Sequence, residues 1–155
     1  MDPAASSYAV RKALAGDLLA VVRLYERAPD LAADRLSNRQ RAMWDRMMAT
    51  DDLTVYLAET HQQAVGTASL LVMPHITYEC RPTAFIEAMV VAQAHRRRGV
   101  GHMLLKRLLD DARAASCRKV QLLSHKRHVG DGAHDFYRSL GFAAEAEGFR
   151  LYLDT

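Results

Sequence analysis

Val91-Ala92-Gln93-Ala94-His95-Arg96-Arg97-Arg98-Gly99-Val100-Gly101 decides how this chain is read, because it joins an apolar strand to an amphipathic helix through arginines and glycines. Upstream, Thr83–Ala92 is rich in apolar residues and long enough for a central strand. Downstream, Val100, Leu104, Leu108 and Ala112 recur every four residues, flanked by Leu105 and Leu109, which predicts a helix with one buried face. The junction itself is an anion site. A helix start leaves backbone N–H groups unpaired and carries about half a positive charge. Gly99 and Gly101 admit a ligand without a Cβ in the way. Arg96, Arg97 and Arg98 add charge suited to phosphate, so a diphosphate fits such a place.

Working outward, Lys119–Leu123 predicts a second buried strand, followed by the polar loop Ser124–Gly132 and a short helix, Ala133–Leu140, stopped by Gly141. Phe142–Ala146 and Phe149–Leu153 read as a closing strand pair around Glu147–Gly148. On the other side, Leu53–Thr60 and Ala64–Met73 predict an antiparallel hairpin turned at Gln62–Gln63, with Pro74–Pro82 a loop. Tyr8–Ala13 is a short strand. Gly16 and Asp17 open a helix with Leu18, Val21, Val22 and Tyr25 on one face, Asp17 as its N-cap and Pro29 at its end. Asn38 caps a second helix whose Met43, Trp44, Met47 and Met48 read as core. The order βααβββαβαββ describes an α/β (α+β) chain with an antiparallel N-terminal half and a strand–helix–strand unit in its middle.

The chain has 155 residues, which at roughly 100–200 per domain predicts a single domain, 1–155, with a core that needs no disulfide or metal. Its 21 Lys and Arg against 18 Asp and Glu leave a net charge of +3, enough for an anionic small ligand but short of a nucleic-acid footprint. No aromatic residue is interleaved among Arg96–Arg98 or Lys126–Arg127 for base stacking, so no nucleic-acid partner is expected. No apolar run approaches the roughly 18 residues of a membrane span, and Met1–Ser7 lacks a secretory pattern. Cys80 and Cys117 match no metal spacing and read as reduced thiols of a cytoplasmic protein. His125, His128 and His134 crowd one loop with Asp131, but Lys126 and Arg127 between them oppose a dication, and no metal is expected.

Known phosphate fingerprints narrow the choice. The dinucleotide pattern G-x-G-x-x-G fails at Leu104, and G-x-x-x-x-G-K-[ST] is absent. Arg96-Arg97-Arg98-Gly99-Val100-Gly101, after a strand ending in valine, resembles the acyl-CoA motif [R/Q]-x-x-G-x-[G/A] of the GNAT superfamily of N-acetyltransferases. Downstream, Ala133-His134-Asp135-Phe136-Tyr137-Arg138-Ser139-Leu140-Gly141-Phe142 resembles the A-x-x-F-Y-x-x-L-G-F signature of many members. The resemblance runs from Tyr8 to the C-terminus. It is specific for the cofactor half and weak for the acceptor half.

The resemblance implies a GNAT-like fold, a mixed, mostly antiparallel twisted sheet flanked by helices and splayed at its central parallel strand pair. It also implies acetyl-CoA as cosubstrate and direct transfer of the acetyl group to a primary amine of a small molecule in a ternary complex, with a homodimer the usual assembly. By position, Met89, Val90 and Val91 would meet the pantetheine arm, Val90 N–H would meet the reacting oxygen, and Arg96, Arg97, Arg98, Gly99, Val100, Gly101 and His102 would hold the pyrophosphate. Ser124 stands where the family has a polar residue facing the pantetheine. The attacking amine must be neutral, which calls for a base. Glu87 is the one acidic residue of an apolar strand; it reads as that base if burial raises its pKa, the alternative being a carboxylate that points to solvent or pairs with an arginine. Tyr137 stands where the family places the acid that protonates the departing thiolate. Leu31–Thr50 and Pro74–Pro82 would wall the acceptor pocket, with Glu26, Asp30, Asp34 and Glu79 as attractors of a cation. The rival readings are a non-catalytic CoA-binding regulatory module, a protein or peptide N-acetyltransferase, and a basic nucleic-acid-binding domain.

Overall fold

A computed structural model describes residues 8–128 and 130–153, with Arg127 described only in its backbone. The expectation for Met1–Ser7 therefore lies outside the described residues. The chain divides into two compact units, Met1–Gln121 and Leu122–Thr155.

The first unit carries the sheet. Strand β1 (Ala9–Lys12) is followed by helix α1 (Leu18–Glu26) and helix α2 (Asn38–Met48). Strands β2 (Leu53–Thr60) and β3 (Gln63–Met73) form a hairpin through His61 and Gln62, both at positive φ, as a tight two-residue turn requires. Strand β4 (Thr83–Val91), helix α3 (Val100–Ala114) and strand β5 (Lys119–Leu122) complete the strand–helix–strand passage. The strands lie in the order β1-β2-β3-β4-β5, antiparallel from β1 to β4 and parallel at the β4–β5 pair. This is the mixed, mostly antiparallel α/β sheet expected from the sequence.

Local sequence explains most boundaries. Helix α2 begins at Asn38, the residue expected to cap it, so the cap lies one residue earlier. Ser37, not Asn38, is the N-cap: its hydroxyl accepts from Gln40 N–H, while the Gln40 side chain accepts from Ser37 N–H. Asp17 does precede α1, but it caps no N–H of that helix; its carboxylate instead takes Leu14 N–H and both arms of Arg11. Between β3 and β4, Tyr78, Glu79 and Cys80 turn left-handed at φ of 56°, 60° and 60°. Arg118 and Lys119 sit over the Tyr78 ring.

Two cores lie on the two faces of this sheet. On one face Val21, Leu24 and Trp44 of α1 and α2 pack on Val55 and Leu57. Met47 and Met48 flank that cluster as the sequence predicted, whereas Met43 is half exposed. On the other face α3 buries Val100, Leu104, Leu105, Leu108 and Ala112, each leucine adding about 2 kcal/mol of apolar burial. Gly66 makes that contact possible. A Cβ there would stand 3.0 Å from Leu104 Cδ1, 3.2 Å from Val100 Cγ1 and 3.3 Å from the Val90 carbonyl. Tyr56, fully buried, donates its hydroxyl to Asp111 at 2.6 Å and so anchors α3 from inside the sheet.

The second unit is thin. It holds the short helix α4 (Ala133–Ser139), ended by Gly141 at φ +89°. The expected strand pair Phe142–Ala146 and Phe149–Leu153 does not form: residues 142–153 carry no strand. Phe149, Leu151, Tyr152 and Leu153 are largely exposed, so their apolar spacing fits a strand that has no ladder to join.

Candidate active site

The centre of the first unit is the passage from β4 into α3. Strand β4 contains one residue too many for its partner. Ser69 pairs with Glu87 and Thr67 with Val90, so Ala88 and Met89 together face Ala68 alone. This is a bulge, and Ala88 takes a left-handed φ of 53° to make it. The Ala88 carbonyl accepts a 2.9 Å hydrogen bond from the Tyr25 hydroxyl of α1. Burial pushes the Tyr25 phenol up, against the opposing pull of the Thr67 and Ser69 hydroxyls. Neither the bulge nor Tyr25 was legible in the sequence as part of a site.

Beyond the bulge, Met89, Val90 and Val91 are half buried. Ala92 N–H returns to the Val65 carbonyl at 2.8 Å, and the Tyr8 hydroxyl meets His95 Nδ1 at 2.9 Å. The chain then turns through two left-handed residues, Arg97 at φ 57° and Gly99 at φ +84°. Gly99 is the N-cap of α3, and the first intrahelical bond runs from Met103 N–H to the Gly99 carbonyl. The N–H groups of Val100, Gly101 and His102 precede it and have no helical carbonyl behind them. No atom lies within 4 Å of a Cβ built on Gly99, so the approach is open.

The arginines divide their work. Arg96 turns its Nε back to the Val91 carbonyl at 3.1 Å, closing the loop on itself. Arg97 and Arg98 are exposed and find no ion partner among the described residues. Unpaired amides, a helix N-terminus of fifteen residues' length and two free guanidinium groups make a cradle that fits a pyrophosphate.

Glu87 takes the solvent-facing alternative. It is exposed, not buried, and shares the face of the sheet that α1 and α2 cover, opposite Ser69. Its carboxylate therefore carries no burial cost, and it stands next to the bulge.

In the second unit, Ser124 is half buried in the loop after β5. Tyr137 of α4 stacks edge-on against Phe136 at 5.2 Å and Phe142 at 6.0 Å between ring centroids. Burial pushes its phenol up, which keeps the proton on oxygen near neutral pH. Of the loop histidines, His128 goes to a structural end. His128 Nδ1 meets Asp131 at 2.5 Å, and Asp131 also accepts from Ala133 N–H, holding its carboxyl below the usual range. Among the described residues no three His, Cys, Asp or Glu converge as a metal site. Cys80 and Cys117 are free, and burial pushes the Cys117 thiol up. No helix of the described residues is long and apolar enough to cross a membrane.

Comparison with known proteins gives this geometry a family. A glucosamine 6-phosphate N-acetyltransferase of Trypanosoma brucei brucei is 33% identical over 99 residues, which are 64% of this chain and 64% of the relative. The chain thus matches less than two thirds of that relative's length. Among solved structures, the "Putative acetyltransferase from Agrobacterium tumefaciens str. C58" is 33% identical, with a TM-score of 0.83, covering 93% of this chain and 99% of its own. A transcriptional regulator from Bacillus halodurans C-125 is 25% identical at a TM-score of 0.83, covering 94% and 99%. The sequence profile of the Acetyltransferase (GNAT) family spans residues 18–142, from α1 through the cradle to Phe142. The chain belongs to the GNAT acetyltransferase family, an acyltransferase fold whose cosubstrate is acetyl-CoA.

Proposed function

We propose that the protein transfers the acetyl group of acetyl-CoA to a primary amine of a small molecule, by direct attack in a ternary complex. The observation that carries this reading is the cradle at Gly99–His102, with the free cations of Arg97 and Arg98 beside it. Those amides and arginines, with Arg96, hold the pyrophosphate. Met89, Val90 and Val91 receive the pantetheine arm along the bulged strand, and Ser124 offers it a hydroxyl.

Bound acetyl-CoA supplies an activated thioester. The amine forms the new C–N bond as the C–S bond breaks. Glu87, exposed and next to the bulge, takes the proton that the amine loses, directly or through a water. Tyr137, whose raised phenol stays protonated, gives a proton to the departing sulfur. The glucosamine 6-phosphate N-acetyltransferase likeness makes a sugar amine the first acceptor to compare with others. A cytoplasmic homodimer accords with two free thiols and with the exposed Phe149, Leu151, Tyr152 and Leu153.

A melting series with acetyl-CoA tests the cradle, and an amine panel read by CoA release tests the transfer. Saturable stabilisation below millimolar acetyl-CoA is expected. A flat series over a wide titration sinks the reading. The Bacillus halodurans likeness favours a second reading, a CoA-binding regulatory module, which predicts stabilisation with no CoA released from any amine, peptide N-termini included.

A further inference from the structure

Helices α1 and α2 do not close against each other. Between them lies a cavity of about 320 Å³, within the size range of small-molecule pockets. Its walls are Leu18, Val21 and Val22 on one side and Met43, Trp44 and Met47 on the other. Ser37, Arg39 and Gln40 form its polar edge, and the Gln40 amide is already engaged by Ser37 and Glu26. Tyr25 lines the same cavity, and its hydroxyl reaches the bulge carbonyl of Ala88, one residue from Glu87. One side chain therefore separates an apolar groove from the strand where the amine is to react.

We propose that this groove holds the apolar body of the acceptor, so that the substrate is an aryl or alkyl primary amine whose nitrogen emerges at the β4 bulge beside Tyr25 and Glu87. The proposal rests on the acetyl-transfer reading above and narrows it. A sugar amine would place hydroxyls against Leu18, Val22, Met43 and Met47, where they find no partner, and each such hydroxyl costs affinity. An aromatic or aliphatic body loses nothing there and gains contact with Trp44. Tyr25 acts as a positioning residue. Its hydrogen bond fixes the bulge carbonyl, and its side chain lines the groove on the way to it.

Trp44 is the lone tryptophan of the chain and stands between the core and the groove, so a change in its emission on adding an amine reports on that wall. Phenethylamine and glucosamine 6-phosphate are titrated into the full chain with CoA present, and both are then assayed with acetyl-CoA. The expected result is a saturable change in Trp44 emission with phenethylamine only, and a kcat/KM at least ten times that for glucosamine 6-phosphate. Met43→Glu, at a half-exposed wall position that tolerates charge, should raise KM for phenethylamine about tenfold and leave KM for acetyl-CoA unchanged. Equal or better use of glucosamine 6-phosphate, with Trp44 emission unmoved by phenethylamine, overturns the proposal. An emission change without acetyl transfer to either amine, while acetyl-CoA still raises the melting temperature, overturns the transfer reading instead and leaves the groove as a binding site.

Discussion

The two units of this chain are built on different terms. In Met1–Gln121 two cores back the sheet, and the ligand cradle is made of backbone: amides of a helix start, fixed by a bulge, a left-handed glycine and the bond from Ala92 to Val65. In Leu122–Thr155 no described residue is buried, and the candidate acid is a single side chain steadied by two neighbouring rings. Under the proposed transfer, this contrast means that binding and proton delivery would be stabilised separately. Cofactor affinity should follow the packing of the first unit, and turnover the chemistry of one phenol in the second.

The largest expected effect tests the packing side. Leu104→Ala empties a fully buried site under α3 and should cost about 3 kcal/mol in denaturant unfolding. Phe136→Ala, half buried in the second unit, should cost about 1 kcal/mol. Similar costs at both positions would erase the difference between the units. Next comes Tyr137→Phe, which keeps both ring contacts and should lower kcat by about 100-fold with CoA affinity unchanged. Stopped assays beside calorimetry would separate the two quantities, and an unaltered kcat removes Tyr137 from the reaction. Gly99→Ala meets no steric obstacle but must hold φ +84°, so it should lose about 1 kcal/mol of stability and weaken CoA binding together. A variant that binds CoA as tightly as wild type would mean the cradle does not depend on that turn.

The smallest effect concerns acid. Asp17 is held below its ordinary carboxyl value of 3.8, chiefly by the Arg11 hydrogen bonds. A depressed pKa stabilises the fold above the unfolded value, and the contribution fades as pH falls through the folded one. Asp17→Asn should therefore cost under about 1 kcal/mol at neutral pH, since Arg11 is partly exposed. Its unfolding curve should converge with that of wild type in acid, and a gap that persists in acid would assign the Asp17 effect to shape.

What could be read from the sequence was what local chemistry decides. The four-residue recurrence from Val100, the glycine turn and the Leu53–Met73 hairpin all appear where their patterns put them, because each is fixed by neighbours in the chain. The Phe142–Ala146 and Phe149–Leu153 strands failed because alternation says only that a segment can line a sheet, not that an edge awaits it. Tyr25 fell in a helical apolar row and read as core; only tertiary contact shows its hydroxyl on β4. The same holds for Ala88, whose left-handed turn belongs to no residue preference and follows from the β3–β4 register. Glu87 misled on burial alone, since an apolar neighbourhood in sequence does not say whether helices cover that stretch of strand.

Gly66 gives the cradle a ruler. Val100, the first residue of α3, rests 3.2 Å from where its Cβ would be, so the bare backbone of β3 sets how closely the mouth of that helix sits on the sheet. A methyl group added there would press on Leu104, Val100 and the Val90 carbonyl and lift the donors by a few tenths of an ångström. On the proposed reading, phosphate affinity would thus be retuned from the sheet side of the helix, by the thickness of a single residue.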